Sequence, residues 1–173
     1  MARLIRKTSR QNRTETSELL QSVFTLELVS PSDKFWLISP WISDIPIIDN
    51  RGGTFSIDPK WGPTRISLSK VLIAMASKGT EVIIVTTTDR SNDSFLGTIK
   101  AEGMRQGVMS RIKIEIDDDE NLHEKAITSA DYLIDGSMNF TFTGLFIRRE
   151  RIKFDIDPQM VAETRVGLAR DFQ

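Results

Sequence analysis

Apolar positions in the 173-residue chain form two patterns, short runs of β-branched and aromatic residues and longer stretches spaced by three and four. Phe35-Trp36-Leu37-Ile38-Ser39, stopped by Pro40, is rich in strand formers and too short for a buried helix, so it predicts a core strand. Glu81-Val82-Ile83-Ile84-Val85-Thr86 is almost continuously β-branched, which predicts a strand covered on both faces. Residues 111–117 and 151–156 alternate charged with apolar residues and predict strands with one face toward water or a sheet edge. Residues 124–128 and 132–135 predict a tight hairpin around Ala130-Asp131.

Helical spacing fills the intervals. Thr14 is a cap for a helix with Glu15 and Glu18 in its first turn, a buried face of Leu19, Leu20, Val23, Phe24 and Leu26, and a stop at Pro31-Ser32. From Arg65, the apolar residues Leu68, Val71, Leu72 and Met75 predict a second helix that Gly79 ends. Asn92 or Asp93 opens a third, to about residue 106, carrying Phe95, Leu96, Ile99 and Met104 and weakened by Gly97 and Gly103. Asp157-Pro158 starts a last one with Met160, Val161, Val166 and Leu168. Residues 40–64 hold too many prolines and glycines for a long element and predict a long loop, in which Trp41, Asp44 and Trp61 are candidate contacts in a pocket wall. Alternating strands and helices predict one α/β domain over residues 1–173, a mixed, mostly parallel sheet flanked by helices on both faces.

Composition narrows the chemistry. An apolar content of 39% is enough for one core. With no cysteine, disulfides, Cys-ligated zinc and thiol catalysis are excluded, and one histidine leaves any metal site to carboxylates. The acidic run at residues 117–120 suits a hard cation or, more commonly, a solvated turn, so no metal and no cofactor is expected. No apolar run approaches the roughly 20 residues that span a bilayer, and the N-terminus lacks the apolar centre of a secretion signal, so a soluble, cytoplasmic protein without a membrane partner is expected. The net charge is −1, yet Arg3, Arg6, Lys7, Arg10 and Arg13 form a basic arm over residues 1–13 with no acid among them. That arm is read either as a nucleic-acid contact or as a packed segment, the second suggested by Leu4 and Ile5.

The candidate chemistry lies in residues 122–150. His123 stands two residues before Lys125, which on a strand would put both side chains on one face. Gly136, Ser137 and Asn139 follow, supplying backbone N–H groups, a hydroxyl and an amide for phosphate oxygens. An imidazole nitrogen can attack phosphorus if the other nitrogen is held by an acceptor, for which Glu150 is the candidate.

At these residues the sequence resembles the phospholipase D superfamily, whose signature is His-x-Lys, four residues, Asp, then a short gap to Gly-Ser-x-Asn. His123, Lys125, Gly136, Ser137 and Asn139 match that signature, and Phe140-Thr141 and Ser39-Pro40-Trp41 are similar to small bacterial nuclease members. Those members carry a glutamate eleven residues after the Asn, where Glu150 stands. The Asp departs from the pattern, since five residues separate Lys125 from Asp131, with Asp135 as another candidate.

The resemblance implies an α/β sandwich and a metal-independent phosphodiesterase working through a phosphohistidine, with His123, Lys125, Asn139 and Glu150 catalytic and Lys125, Gly136, Ser137 and Asn139 holding phosphate. A two-step mechanism needs a second acid and base, and one histidine per chain cannot easily serve as both, so a homodimer with a composite active site is expected. Family members with one motif copy work as dimers. Small size and the basic arm favour nucleic acid, most of all DNA, with Arg148, Arg149, Arg151 and Lys153 adding charge beside the site. The other readings are a non-catalytic subunit docking DNA or a protein within a DNA-modification or phage-defence system, which small proteins of this kind also resemble, and a phospholipase.

Overall fold

The nearly unbroken apolar segment Glu81–Thr87 lies between two parallel neighbours, and Val82, Ile83, Ile84 and Val85 are completely buried. A strand in that place has cover on both faces, which its β-branched sequence requires. The computed structural model describes residues 2–6, 10–53, 57–58, 60–117 and 122–172, without the side chains of residues 10–13. In chain order the elements are β1 (Ala2–Arg6), α1 (Arg10–Val29), β2 (Lys34–Ile38), β3 (Pro46–Asp49), β4 (Arg65–Ser67), α2 (Leu68–Ser77), β5 (Glu81–Thr87), α3 (Asp93–Arg105), β6 (Ile112–Asp117), β7 (Ala126–Thr128), β8 (Leu133–Gly136), β9 (Arg151–Asp155) and α4 (Pro158–Asp171).

The main sheet has seven strands among the described residues, ordered β1-β9-β8-β7-β2-β5-β6. It is mixed and flanked by helices, as the sequence predicts, but antiparallel pairs outnumber parallel ones. Only β2, β5 and β6 pair in parallel, while β7, β8, β9 and β1 add antiparallel on the other side of β2. The helices α2 and α3 provide crossovers for the parallel part, whereas β7 and β8 form the expected hairpin, whose short turn can only reverse direction.

Strand alternation sends Phe35, Leu37, Val82, Ile84, Ile127 and Ile134 toward α1, α2 and α3, where they share a core with Leu20, Phe24, Val71 and Phe95. Trp36, Ile38, Ile83, Val85 and Leu133 point the other way, under Val161 and Leu168 of α4. That last helix is capped by Asp157, whose Oδ1 accepts from the Met160 N–H at 3.1 Å, with Pro158 as its first residue. Met160 and Val166 of the expected apolar set stay exposed.

Several segments depart from their sequence patterns. α1 starts at Arg10, ahead of Thr14, and Leu26 is 49% exposed because the buried stripe runs through Leu20, Val23, Phe24 and Leu28. Residues 40–64 are not all loop, since β3 pairs with β4 in a separate antiparallel sheet. Pro46 is tolerated there as the first residue of its strand. Pairing with β3 also claims Arg65–Ser67, so α2 begins at Leu68; Asp44 caps it from a distance, accepting from the Ser69 N–H at 2.8 Å and hydroxyl at 2.9 Å.

The start of the basic arm is the packed alternative: Ala2–Arg6 is an edge strand, Ile5 is buried, and Arg3 pairs with Glu15. Lys7 and the acids at 118–120 lie outside the described residues, as do the side chains of Arg10 and Arg13. Among the described residues no helix is long and apolar enough to cross a membrane.

Candidate functional site

Sheet register gathers the chemistry-bearing segments at one end. Ile38, the last residue of β2, pairs with Val85 on one side and with Ala126, the first residue of β7, on the other. Ala126 in turn pairs with Asp135, Gly136 with Ile152, and Arg6 with Arg151. Residues 39–41, 87–90, 123–125, 136–139 and 150–151 therefore emerge together, beyond the carboxyl ends of the parallel strands β2 and β5. Ligands of open α/β sheets bind at such ends. Asp131, at the tip of the β7–β8 hairpin, is exposed at the opposite end, while Asp135 is on the gathered side with Lys125 and Ser137.

The Gly136-Ser137 step is fixed by β9. Gly136 has φ +154°, and a Cβ there would stand 2.0 Å from the Arg151 carbonyl oxygen, so the strands meet only if the residue has no side chain. Ser137 donates its N–H to that carbonyl at 3.0 Å and accepts the Arg151 N–H on Oγ at 3.0 Å. Its hydroxyl donates to Glu150 Oε2 at 2.5 Å. Asn139 is tied to the end of β2, its Oδ1 lying 3.2 Å from the Ser39 hydroxyl, which also reaches the Trp41 carbonyl at 2.8 Å and accepts the Phe140 N–H at 3.3 Å. Behind it, a π-helical turn at Thr143–Ile147 brings Gly144 so close that a Cβ would be 2.3 Å from the Asn139 carbonyl oxygen.

His123 and Lys125 are not on a strand, because β2 ends at Ile38 and offers nothing for residues before Ala126 to pair with. His123 is exposed and lines a cleft of about 630 Å³ with Pro40, Trp41, Thr87, Thr88, Asp89 and Arg90. Lys125 lines the adjoining depression with Asp135, Gly136, Ser137 and Arg151, and its ammonium donates to the His123 carbonyl. Burial pulls the Lys125 ammonium below its usual value of 10.5, against the opposing charge of Glu150. Glu150 thus sits with Ser137 and Lys125, and the imidazole has no hydrogen bond among the described residues. Beside Lys125, the carboxyl of Glu124 is pushed above 4.5 by burial and then by the charges of Asp135 and Asp171.

Cations ring this end. Arg148, Arg149 and Arg151 are exposed, and Arg6 faces Arg151 across the β1–β9 pair. Arg3 is engaged by Glu15. Of the candidates in residues 40–64, Trp41 is in the His123 cleft, while Asp44 and Trp61 line a different pocket with Lys70 and Arg105.

Pattern reading of the sequence missed Asn92, read there as a helix cap. The side chain is fully buried, donates to the Pro40 carbonyl and Thr86 Oγ1 at 2.9 Å each, and accepts the Ile42 N–H at 2.8 Å. It clamps the loop that carries Trp41. No local signal distinguishes this role, because the loop partners Pro40 and Ile42 lie some 50 residues away.

Solved structures share this architecture. NucT from Helicobacter pylori superposes with a TM-score of 0.62 at 10% identity, covering 98% of this chain and 94% of its own. Nuc from Salmonella typhimurium, a phospholipase D family member, gives a TM-score of 0.61 at 16% identity over 99% of this chain and 93% of its own. The polyphosphate kinase of Porphyromonas gingivalis matches 99% of this chain with 26% of its own, at a TM-score of 0.64 and 14% identity. No protein-family model and no curated protein sequence matches the chain. At these identities the likeness is one of fold alone, an α/β fold shared with Nuc, a phospholipase D family member.

Proposed function

We propose that the chain is a metal-independent phosphodiesterase that cleaves nucleic acid, most of all DNA, through a phosphohistidine on His123. The observation that supports this reading is that the segments carrying His123, Lys125, Ser137 and Asn139 emerge at one end of the sheet, beyond β2 and β5, in a fold shared with Nuc. In the first step an imidazole nitrogen of His123 forms a bond to phosphorus as the bond to the leaving oxygen breaks. In the second, water attacks the phosphohistidine, the phosphorus–nitrogen bond breaks and His123 is restored. Lys125 and Asn139 donate to the non-bridging oxygens, whose charge grows in both transition states.

The leaving oxygen needs a proton, and the water must lose one. The one histidine of this chain is occupied as nucleophile, so the acid and base is His123 of a second copy, and the working unit is a two-fold dimer. Glu150, bonded to Ser137 here, has the Lys125 ammonium and the dimer partner as its other neighbours in the complete site. Arg6, Arg148, Arg149 and Arg151 hold flanking phosphates, so binding weakens steeply with salt.

A second reading, a docking subunit without catalysis, is favoured by the Ser137–Glu150 bond and by an imidazole that no acceptor among the described residues holds. One assay separates them, with single- and double-stranded DNA and RNA incubated in EDTA with wild type and His123→Ala. The phosphodiesterase reading predicts cleavage that survives chelation and falls more than about a thousandfold in the variant. Tight binding without cleavage supports the docking subunit, and headgroup release from phospholipid vesicles in place of DNA cleavage would make it a phospholipase.

A further inference from the structure

The cleft beside His123 has a wall that the phosphate chemistry does not use. Trp41 is 42% exposed and lines the cleft beside His123. The ring is held in one orientation, its Nε1–H donating to Asp89 Oδ2 at 2.9 Å, while Asp89 Oδ1 accepts the Ser91 N–H at 2.8 Å. The backbone on either side is clamped as well. The Pro40 carbonyl accepts from Asn92 Nδ2 and Thr87 Oγ1 at 2.9 Å each, and the Ile42 N–H donates to Asn92 Oδ1 at 2.8 Å. With Asp89 holding the indole and the fully buried Asn92 holding the backbone on either side, Trp41 is a preorganised platform with little ordering left to lose on binding. Arg90 lines the same cleft, is exposed, and its guanidinium has no partner among the described residues.

We propose that this cleft binds the nucleotide next to the scissile phosphate, the Trp41 indole stacking on an unpaired nucleobase and Arg90 meeting the adjoining phosphate, so that the substrate is single-stranded. The proposal deepens the phosphodiesterase reading and rests on it for the place of the scissile phosphate at His123. A flat ring, a cation and an imidazole in one cleft offer partners for a base and two phosphates. A base inside a duplex has both faces covered by its neighbours and cannot stack on Trp41 without first leaving the helix. A lipid headgroup offers phosphate but no flat face, so the indole favours a base, and the rest of the lining mixes Thr87, Thr88 and Asp89 with Pro40 and Leu122.

The test measures binding by fluorescence anisotropy, with full-length His123→Ala to keep strands intact. Three probes are compared: a short single strand, the same strand made of abasic residues with every phosphate retained, and a blunt duplex of equal length. The single strand is expected to bind about tenfold or more tightly than either of the others. Adding Trp41→Ala should remove that preference without changing the affinity for the abasic strand, while Trp41→Phe keeps most of it. Equal binding of abasic and base-containing strands, a preference for duplex, or a preference that survives Trp41→Ala would overturn the proposal. If Trp41→Ala does not fold, the comparison of strands with the Trp41 chain decides alone. Absence of cleavage by the wild-type chain with the strand preference intact would instead sink the catalytic reading and leave the stacking cleft standing.

Discussion

Gly136 has no room for a side chain, since the Cβ of an alanine would come 2.0 Å from the Arg151 carbonyl oxygen that also accepts the Ser137 N–H. Gly136→Ala must part β8 from β9 and displace Ser137, and we expect a loss of roughly 2 kcal/mol or more in urea unfolding, with cleavage falling further than stability explains. An unchanged unfolding midpoint would show that the close approach is not needed. At this scale the sequence already pointed to His123, Lys125, Ser137 and Asn139, because a short signature carries them within one stretch. Ser39 is different, for its tie to Asn139 spans 100 residues and exists only once β2 and β8 share a sheet.

Among the elements, the loop after β2 depends on a residue of the turn before α3. Asn92→Ala leaves the Ile42 N–H and one lone pair of the Pro40 carbonyl without their buried partner, at a cost of about 2 kcal/mol. We expect thermal unfolding to register that loss and the variant to cleave poorly even where it is fully folded, since Trp41 and Ser39 are released together. Normal turnover in folded Asn92→Ala would refute the clamp. The strands β2 and β5, the crossover helices and the β7–β8 hairpin follow from periodicity because each buries a face that its own sequence marks. The sheet of β3 and β4 does not, since neither strand is stable without the other and residues 40–64 are rich in turn formers. Residues 122–125 fail for the opposite reason: their spacing reads as strand, yet no strand end reaches them.

For the whole molecule, desolvation of the Glu124 carboxyl, with the charges of Asp135 and Asp171 behind it, makes stability depend on pH. Folding raises the Glu124 carboxyl above 4.5, so the folded state holds that proton more tightly than the unfolded chain. The resulting stabilisation is complete below 4.5 and is lost as pH rises through the raised value, leaving the ionised carboxylate unfavourable at neutral pH. Glu124→Gln should therefore unfold at a higher temperature than wild type near neutral pH, the difference shrinking toward pH 4.5. A difference that does not vary with pH would remove burial and the Asp135 and Asp171 charges as its cause. The balance of antiparallel over parallel pairing also belongs to this scale, because it follows from which strands the chain ends supply to the sheet, and no single strand's pattern reports its neighbour.

The proposed chemistry stands or falls on a covalent bond between His123 and phosphorus. As the only histidine, it makes assignment direct: any phosphohistidine in the native chain is at position 123. Wild-type protein is mixed with a labelled single strand in EDTA, quenched in alkali within the first turnover, and assayed for label that stays with the protein in base and leaves in acid. Such an adduct is expected, formed as the strand is cut and absent from His123→Ala. Cleavage at an undiminished rate with no acid-labile adduct, or in His123→Ala, would contradict it.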